Sequence, residues 1–247
     1  MLAVLKREFK SYFTNPLGFI FLAVFYFFLG YVFTSYYGSG APYVDYVVLS
    51  IAQIALFVMP AITMRLFSDE RRQKTDQALF TAPVKLINIV LGKFFAALAI
   101  FMLGFAPTVI FEIIVAAYVP VNVFYYIYSL IGIMLFGAAV ISVGMFISSL
   151  TESPIISIIF TLVLNIFILT GSFSDLITVP TAEVWYEKIL AWIVERVADL
   201  LNALNFSTVL DSFGNQAFAV KDVIYFISIA AAFIFLTERS LDKRRWS

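Results

Sequence analysis

The fold is decided by long apolar runs, and the clearest of them is F-Y-Y-I-Y-S-L-I-G-I-M-L-F-G-A-A-V-I-S-V-G-M-F-I-S-S-L at residues 124–150. No charged side chain interrupts this run. A helix needs about 20 mostly apolar residues to cross a bilayer core of roughly 30 Å. The run is too long for a buried strand and lacks the alternation of a membrane barrel. Because backbone amides in lipid must be satisfied within their own segment, the run predicts a transmembrane helix.

The same criterion predicts further spans along the chain. The predicted spans are residues 17–37, 47–67, 94–117, 124–150, 154–172 and 222–237. The last has the shortest apolar core, near the lower limit for crossing a bilayer. The predicted fold class is therefore an all-α integral membrane protein, with six transmembrane helices in a single domain over residues 1–247.

Composition excludes several classes of protein. The chain is 62% hydrophobic and 13% charged, whereas a soluble domain carries roughly a quarter charged residues. It contains no Cys and no His. Disulfides, thiol nucleophiles, thiolate or imidazole zinc sites and His acid–base chemistry are therefore excluded. Short basic clusters are the sole feature that could suggest nucleic-acid binding, and membrane topology explains them better.

A net charge of zero conceals a polarised distribution of charge. Most Lys and Arg residues lie in the N-terminal stretch, between the second and third spans, or at the C-terminus. The segments between the other spans carry few basic residues, namely Lys188, Arg196 and Lys221, and many acidic ones. The positive-inside rule therefore places both termini and the 68–93 loop in the cytoplasm.

Two segments outside the spans have an amphipathic pattern. Residues 1–14 place apolar side chains at helical spacing opposite Lys6 and Lys10, which predicts a helix in the cytoplasmic interface. The alternative is a leader that only sets orientation. Residues 173–221 form the predicted outer segment, with an amphipathic helix at 181–206. This helix is either a lid or partner-docking surface, or a connector to the last span.

The loop at residues 68–93 is the main polar segment on the predicted cytoplasmic side. Ser68 is a candidate N-cap, and Asp69 and Glu70 suit the first turn of a helix. This helix is predicted to run to about Phe80, before Pro83 breaks it. A second helical stretch at residues 84–91 leads into the third span. A solvated polar helix of this kind either meets a partner or only anchors topology with its basic residues.

The loop also carries a family resemblance. From Arg65 to Lys93 it reads R-L-F-S-D-E-R-R-Q-K-T-D-Q-A-L-F-T-A-P-V-K-L-I-N-I-V-L-G-K. This resembles the E-R-x-x-x-T, L-x-x-x-P-V and L-G-K pattern of permease subunits of the type-2 ABC exporter family. The matching positions are Glu70, Arg71, Thr75, Leu79, Pro83, Val84, Leu91, Gly92 and Lys93. The opening L-K-R-E-F-K-S-Y-F-T-N-P-L-G at residues 5–18 is similar to the gliding-motility-associated branch.

The resemblance implies a mechanism and a set of partners. The loop would contain a coupling helix that fits a groove on an ABC ATP-binding subunit. The residues implied in coupling are Ser68, Asp69, Glu70, Arg71, Arg72, Thr75, Leu79 and Pro83. Two ATP-binding subunits, which carry the ATP and Mg²⁺, would drive two permease chains in the cytoplasmic membrane of a bacterium. The second permease chain is either a copy or a relative, and an extracytoplasmic accessory protein is a further possible partner.

The chain itself has no motif for ATP hydrolysis. G-x-x-x-x-G-K-[ST] is absent, because Phe94 follows Gly92-Lys93. The sequence is therefore interpreted as a non-enzymatic permease with no cofactor of its own. The alternative is a self-contained secondary transporter or channel. Against it stand the absence of a clear inverted repeat and of paired broken helices around a midplane site.

Glu112 is the one acid well inside a predicted span, and such acids are candidates for function by default. It could bind a cationic group, carry a proton or pair with a neighbouring helix. The structural alternatives are a hydrogen bond or snorkelling to the nearby outer surface. Pro60 and Pro107 are expected to kink their spans. Asn165 is expected to bond across helices, and small residues on the fourth span, such as Gly144, predict close helix approach.

Overall fold

A computed structural model describes residues 1–38, 44–74, 85–170 and 220–245, together with residues 192, 196 and 206. Within these residues the regular structure is entirely helical. The helices are α1 (Leu2–Thr14), α2 (Pro16–Gly38), α3 (Val44–Thr63), α4 (Ser68–Arg72), α5 (Leu86–Gly104), α6 (Ala106–Ala116), α7 (Val123–Leu150), α8 (Pro154–Thr170) and α9 (Val220–Arg245). The predicted outer helix at 181–206 lies outside the described residues, apart from positions 192, 196 and 206.

Five stretches of the described chain are long and apolar enough to cross a membrane. They are Pro16–Gly38, Val44–Arg72, Leu86–Ala116, Val123–Leu150 and Val220–Arg244. The fifth predicted span, residues 154–172, corresponds to α8, whose 17 residues fall short of the usual length of about 20. Five spans rather than six therefore meet the length criterion among the described residues.

The observed helix boundaries differ most from the predicted ones where an apolar run adjoins polar residues. The last span, predicted as the shortest, belongs to the 26-residue helix α9. Its helix continues through the charged residues after Thr237, because Glu, Arg and Lys are good helix formers and the apolar count ends before the helix does. The third span begins at Leu86 rather than Phe94. It is interrupted at Phe105, and Pro107 then occupies the first turn of α6, where its missing N–H costs no helical hydrogen bond.

Helix α7 lies at the centre of the bundle and contacts α3, α5, α8 and α9. Aromatic rings fill much of the space around it. Phe25, Phe101 and Phe105 pack edge to face with one another, and Phe136 packs edge to face against Phe226 of α9. The predicted cross-helix bond of Asn165 is confirmed, since its Nδ2 donates to the carbonyl of Leu56 at 2.7 Å.

Hydrogen bonds and ion pairs define two ends of this bundle. At the α4 end, α1, α4, the start of α5, the end of α7 and the end of α9 come together, as the contact of Arg244 with the Leu150 carbonyl illustrates. At the opposite end, the start of α3, the end of α6 and the start of α7 surround a cavity. The two candidate sites predicted from the sequence lie at these two ends.

Candidate functional site at the α4 end of the bundle

Helix α4 begins the predicted coupling segment but is much shorter than predicted. It ends at Arg72, and Lys74 has a left-handed backbone with φ of 54°. A left-handed residue stops a right-handed helix, so the predicted continuation through Lys74 towards Phe80 is wrong at this point. Thr75, Leu79 and Pro83, three of the residues implied in coupling, lie outside the described residues.

Ser68 is the first residue of α4 rather than its N-cap. Its hydroxyl donates back to the carbonyl of Met64. The capping role belongs to Ser148 of α7, whose Oγ accepts hydrogen bonds from the amides of Phe67 and Ser68, both at 3.1 Å. Ser148 in turn donates to the carbonyl of Met64 at 2.9 Å. The start of α4 is therefore held by a distant helix, which the local sequence could not indicate.

Replacing Ser148 with alanine is expected to destabilise the folded protein by about 1–3 kcal/mol, since two buried amides lose their acceptor. Reversible unfolding in mixed micelles measures the change. Ser228→Ala is the matched control, because its exposed hydroxyl bonds only within its own helix. Equal stability of the two variants would show that Ser148 does not hold α4.

A charge cluster, formed by Arg7, Glu8, Glu70 and Lys93, joins α4 to α1 and α5. Lys93 is only 1% exposed, and its Nζ lies 2.8 Å from a carboxylate oxygen of Glu70 and 3.5 Å from one of Glu8. The same ammonium lies 5.1 Å from the ring centre of Phe67. Arg7 donates to Glu8 at 2.6 Å and lies 3.7 Å from Glu70. The hydrogen bond to Glu8 raises the pKa of the Arg7 guanidinium above its ordinary value.

The charge cluster is formally balanced, and Lys93, its most buried member, lies where water is excluded, whereas Arg7 is exposed. An isolated buried ammonium is unfavourable, but two carboxylates and an aromatic face compensate for its lost hydration. Gly92 lets α1 approach closely, since a Cβ there would lie 2.9 Å from Cβ of Val4. The close approach brings Glu8 within reach of Lys93. The charge cluster therefore links α4 to both α1 and α5.

A second set of contacts ties α4 to the connection between α7 and α8. Arg71 Nη2 lies 2.7 Å from the Glu152 carboxylate, and its Nη1 donates to the carbonyl of Ser149 at 3.3 Å. The side chain of Arg71 is thus only 12% exposed. Asp69 pairs with Arg65 one turn earlier. Of the charged residues of α4, Arg72 alone is exposed and forms no ion pair with the described residues.

The structure brings five of the predicted coupling residues together, in α4 at residues 68–72. It also adds residues that sequence reasoning assigned no role. These are Glu8, Ser148 and Glu152, while Lys93 was noted only as part of the resemblance. Glu8 could have been noticed, because it is an acidic residue among the apolar positions of α1. No comparable signal existed for Ser148 and Glu152, because their partners are more than 75 positions away in the chain.

Glu112 lies at the opposite end of the bundle, in α6. It is 8% exposed and lines a cavity together with Asp45, which is also 8% exposed. The side chain is therefore largely hidden from the outer surface of the bundle. Within the described ranges, no group of three acidic side chains is placed to hold a metal ion.

Multiple long apolar helices, in a chain whose mean hydropathy is +0.98, define a multi-pass membrane protein. Residues 6–168 match the family of ABC-2 family transporter proteins, which is more than half of the chain. The chain belongs to this family and is a permease component of an ABC transporter. No curated protein matches the sequence.

Proposed function

We propose that this chain is the permease of an ATP-driven exporter and that a separate ATP-binding subunit docks at the α4 end of the bundle. Docking there would move α4 whenever the partner binds or hydrolyses ATP. The residues that receive this movement are Ser68, Asp69, Glu70, Arg71 and Arg72. Thr75, Leu79 and Pro83 would extend the docking surface. ATP and Mg²⁺ bind on the partner, and this chain contributes no catalytic group.

The contacts of α4 are the observation that carries the proposal. Glu70 connects α4 to α1 and α5, and Arg71 connects it to the segment after α7. A helix of five residues has little stability of its own, so these tertiary contacts hold it. Packed elements of this kind transmit a displacement because interfaces in a close-packed interior switch between discrete arrangements. Arg72 remains exposed for a partner.

The proposal extends to orientation and assembly. Both termini and α4 lie in the cytoplasm, as the distribution of Lys and Arg supports. Helix α1 lies in the cytoplasmic interface, with exposed Lys6 and Lys10. Two permease chains, identical or related, work with two ATP-binding subunits in a bacterial cytoplasmic membrane. The opening of the sequence supports the gliding-motility-associated branch, and residues 173–221 would meet an extracytoplasmic accessory protein.

The test distinguishes binding of the ATP-binding subunit from coupling of its ATPase activity to transport. Tagged chain purified from its native membranes is expected to carry an ATP-binding subunit and ATPase activity. Arg72→Glu should lower recovery of that subunit about tenfold, equivalent to about 1.4 kcal/mol. Arg71→Glu should retain the subunit but uncouple its ATPase activity from transport. The double variant Arg71→Glu with Glu152→Arg should restore coupling, because it re-forms the ion pair with reversed charges.

Lys243→Glu is the matched control, since Lys243 is exposed and lies in the last turns of α9. It should leave both recovery and coupling unchanged. The proposal is contradicted if no ATP-binding subunit accompanies the wild-type chain and transport persists without ATP. If Arg72→Glu binds the subunit normally, α4 is not the docking surface.

A further inference from the structure

The cavity at the opposite end of the bundle is a second site, separate from the α4 end. It has a volume of about 400 Å³, within the size range of small-molecule pockets. Asp45 from the first turn of α3 and Glu112 from α6 both line it. Its wall also includes Tyr46, Tyr125 and Tyr126. Two acids and several aromatic rings therefore line one cavity.

The position of Glu112 is unfavourable for an ionised carboxylate unless another group compensates for its negative charge. It is more than nine-tenths buried, and no hydrogen bond or ion pair from the described residues reaches its carboxylate. It lies near the C-terminal end of α6, where the helix dipole adds negative potential. Asp45 is close enough to repel it. A buried carboxylate in this setting is stabilised most directly by a positive charge in the cavity.

The polar neighbours of Glu112 are already engaged elsewhere. The Tyr126 hydroxyl shares a 2.8 Å hydrogen bond with Thr108 Oγ1. The side-chain oxygen of Asn122 accepts from the amide of Phe124 at 3.1 Å and so caps α7. These bonds hold the wall of the cavity in place without neutralising the acid. Asp45 in the first turn of α3 is explained by the dipole of that helix, but Glu112 has no such explanation.

We propose that this cavity binds an organic ammonium cation between the carboxylates of Asp45 and Glu112. Two carboxylates provide the counter-charge, and tyrosine rings attract a cation through their faces. Calcium takes six to eight oxygen ligands, and the described cavity supplies too few acidic groups for it. The volume also exceeds what a bare ion needs. Neither acid takes part in the charge cluster, so cation binding succeeds or fails independently of the ATP-binding subunit.

Choline and its neutral carbon isostere, dimethylbutanol, are the probes for this site. Saturation-transfer NMR with the full chain in maltoside detergent, which contains no choline, measures their binding. Choline should bind and dimethylbutanol should not. Glu112→Gln and Asp45→Asn should each weaken choline binding at least about tenfold. Asp222→Asn is the matched control, since this acid is buried in the first turn of α9 and does not line the cavity.

A second measurement does not depend on the folding of any variant. An apolar carbodiimide should modify Glu112 in the wild-type chain, and choline should protect that residue, as read by peptide mass spectrometry. Equal binding of choline and dimethylbutanol would overturn the proposal. So would undiminished choline binding by both Glu112→Gln and Asp45→Asn, or modification of Glu112 that choline does not slow. Displacement of choline by Mg²⁺ or Ca²⁺ at lower concentrations than choline requires would instead identify a metal site.

Discussion

Replacing Lys93 with methionine is expected to destabilise the folded protein by about 3–5 kcal/mol, the usual result of removing one partner from a buried ion pair. Methionine matches the length of the lysine stem, so little packing is lost. The carboxylates of Glu8 and Glu70 lose their buried counter-charge, however, and retain only the exposed guanidinium of Arg7. Reversible unfolding in mixed micelles measures the effect. Thiol-reactive dyes are unsuitable as reporters, since the chain has no Cys.

Lys85→Met is the matched control for this variant. Lys85 is exposed immediately before α5, so its loss should change stability by about 0.5 kcal/mol or less. Adding Glu70→Gln to Lys93→Met should recover part of the lost stability, because one of the two carboxylates that faced the lost ammonium is then removed. If Lys93→Met unfolds like Lys85→Met, the charge cluster does not stabilise the α4 end.

Replacing Gly144 with leucine should be nearly as damaging, at about 3 kcal/mol, the upper part of the usual range for overpacking. Gly144 of α7 lies directly against Thr63 of α3. A Cβ at Gly144 would lie 2.8 Å from Cβ of Thr63, which is fully buried. The two helices would have to separate just before α4 begins. We therefore expect a lower unfolding free energy and, in addition, weaker coupling of ATPase activity to transport.

Gly30→Leu makes the same chemical change where space is available. Nothing lies within 4 Å of a Cβ built at Gly30, so this variant should fold as the wild type does. Both variants insert the same apolar volume into a helix of a membrane span, so hydrophobicity cannot account for a difference between them. Equal stabilities would mean that the α3–α7 contact tolerates wider spacing.

The helices could be predicted because each apolar run carries its own requirement for internal hydrogen bonding. Residues 124–150 correspond closely to Val123–Leu150, and residues 17–37 to Pro16–Gly38. The predictions were weaker where a helix passes from apolar to polar residues. The apolar run ends at Thr237, but α9 continues to Arg245, because helix formation by charged residues does not depend on burial.

The coupling segment shows the opposite failure. Local pattern favoured a helix from Ser68 to about Phe80, whereas α4 ends at Arg72. The contacts that hold α4 come from distant residues, since Ser148 accepts from its first amides and Glu152 pairs with Arg71. The resemblance implied a coupling role for this segment. It could not show which of its charges face inward and which, like Arg72, remain available to a partner.

By itself the sequence determined that this chain is a bundle of membrane helices with a basic segment between the second and third spans, because apolar length and charge are local properties. Only the tertiary structure decided that Lys93 joins Glu8 to Glu70 and that Asp45 and Glu112 share one cavity. Those pairs are far apart in the chain and adjacent in space. Their meeting depends on how the helices pack, and packing is settled by all of the contacts together.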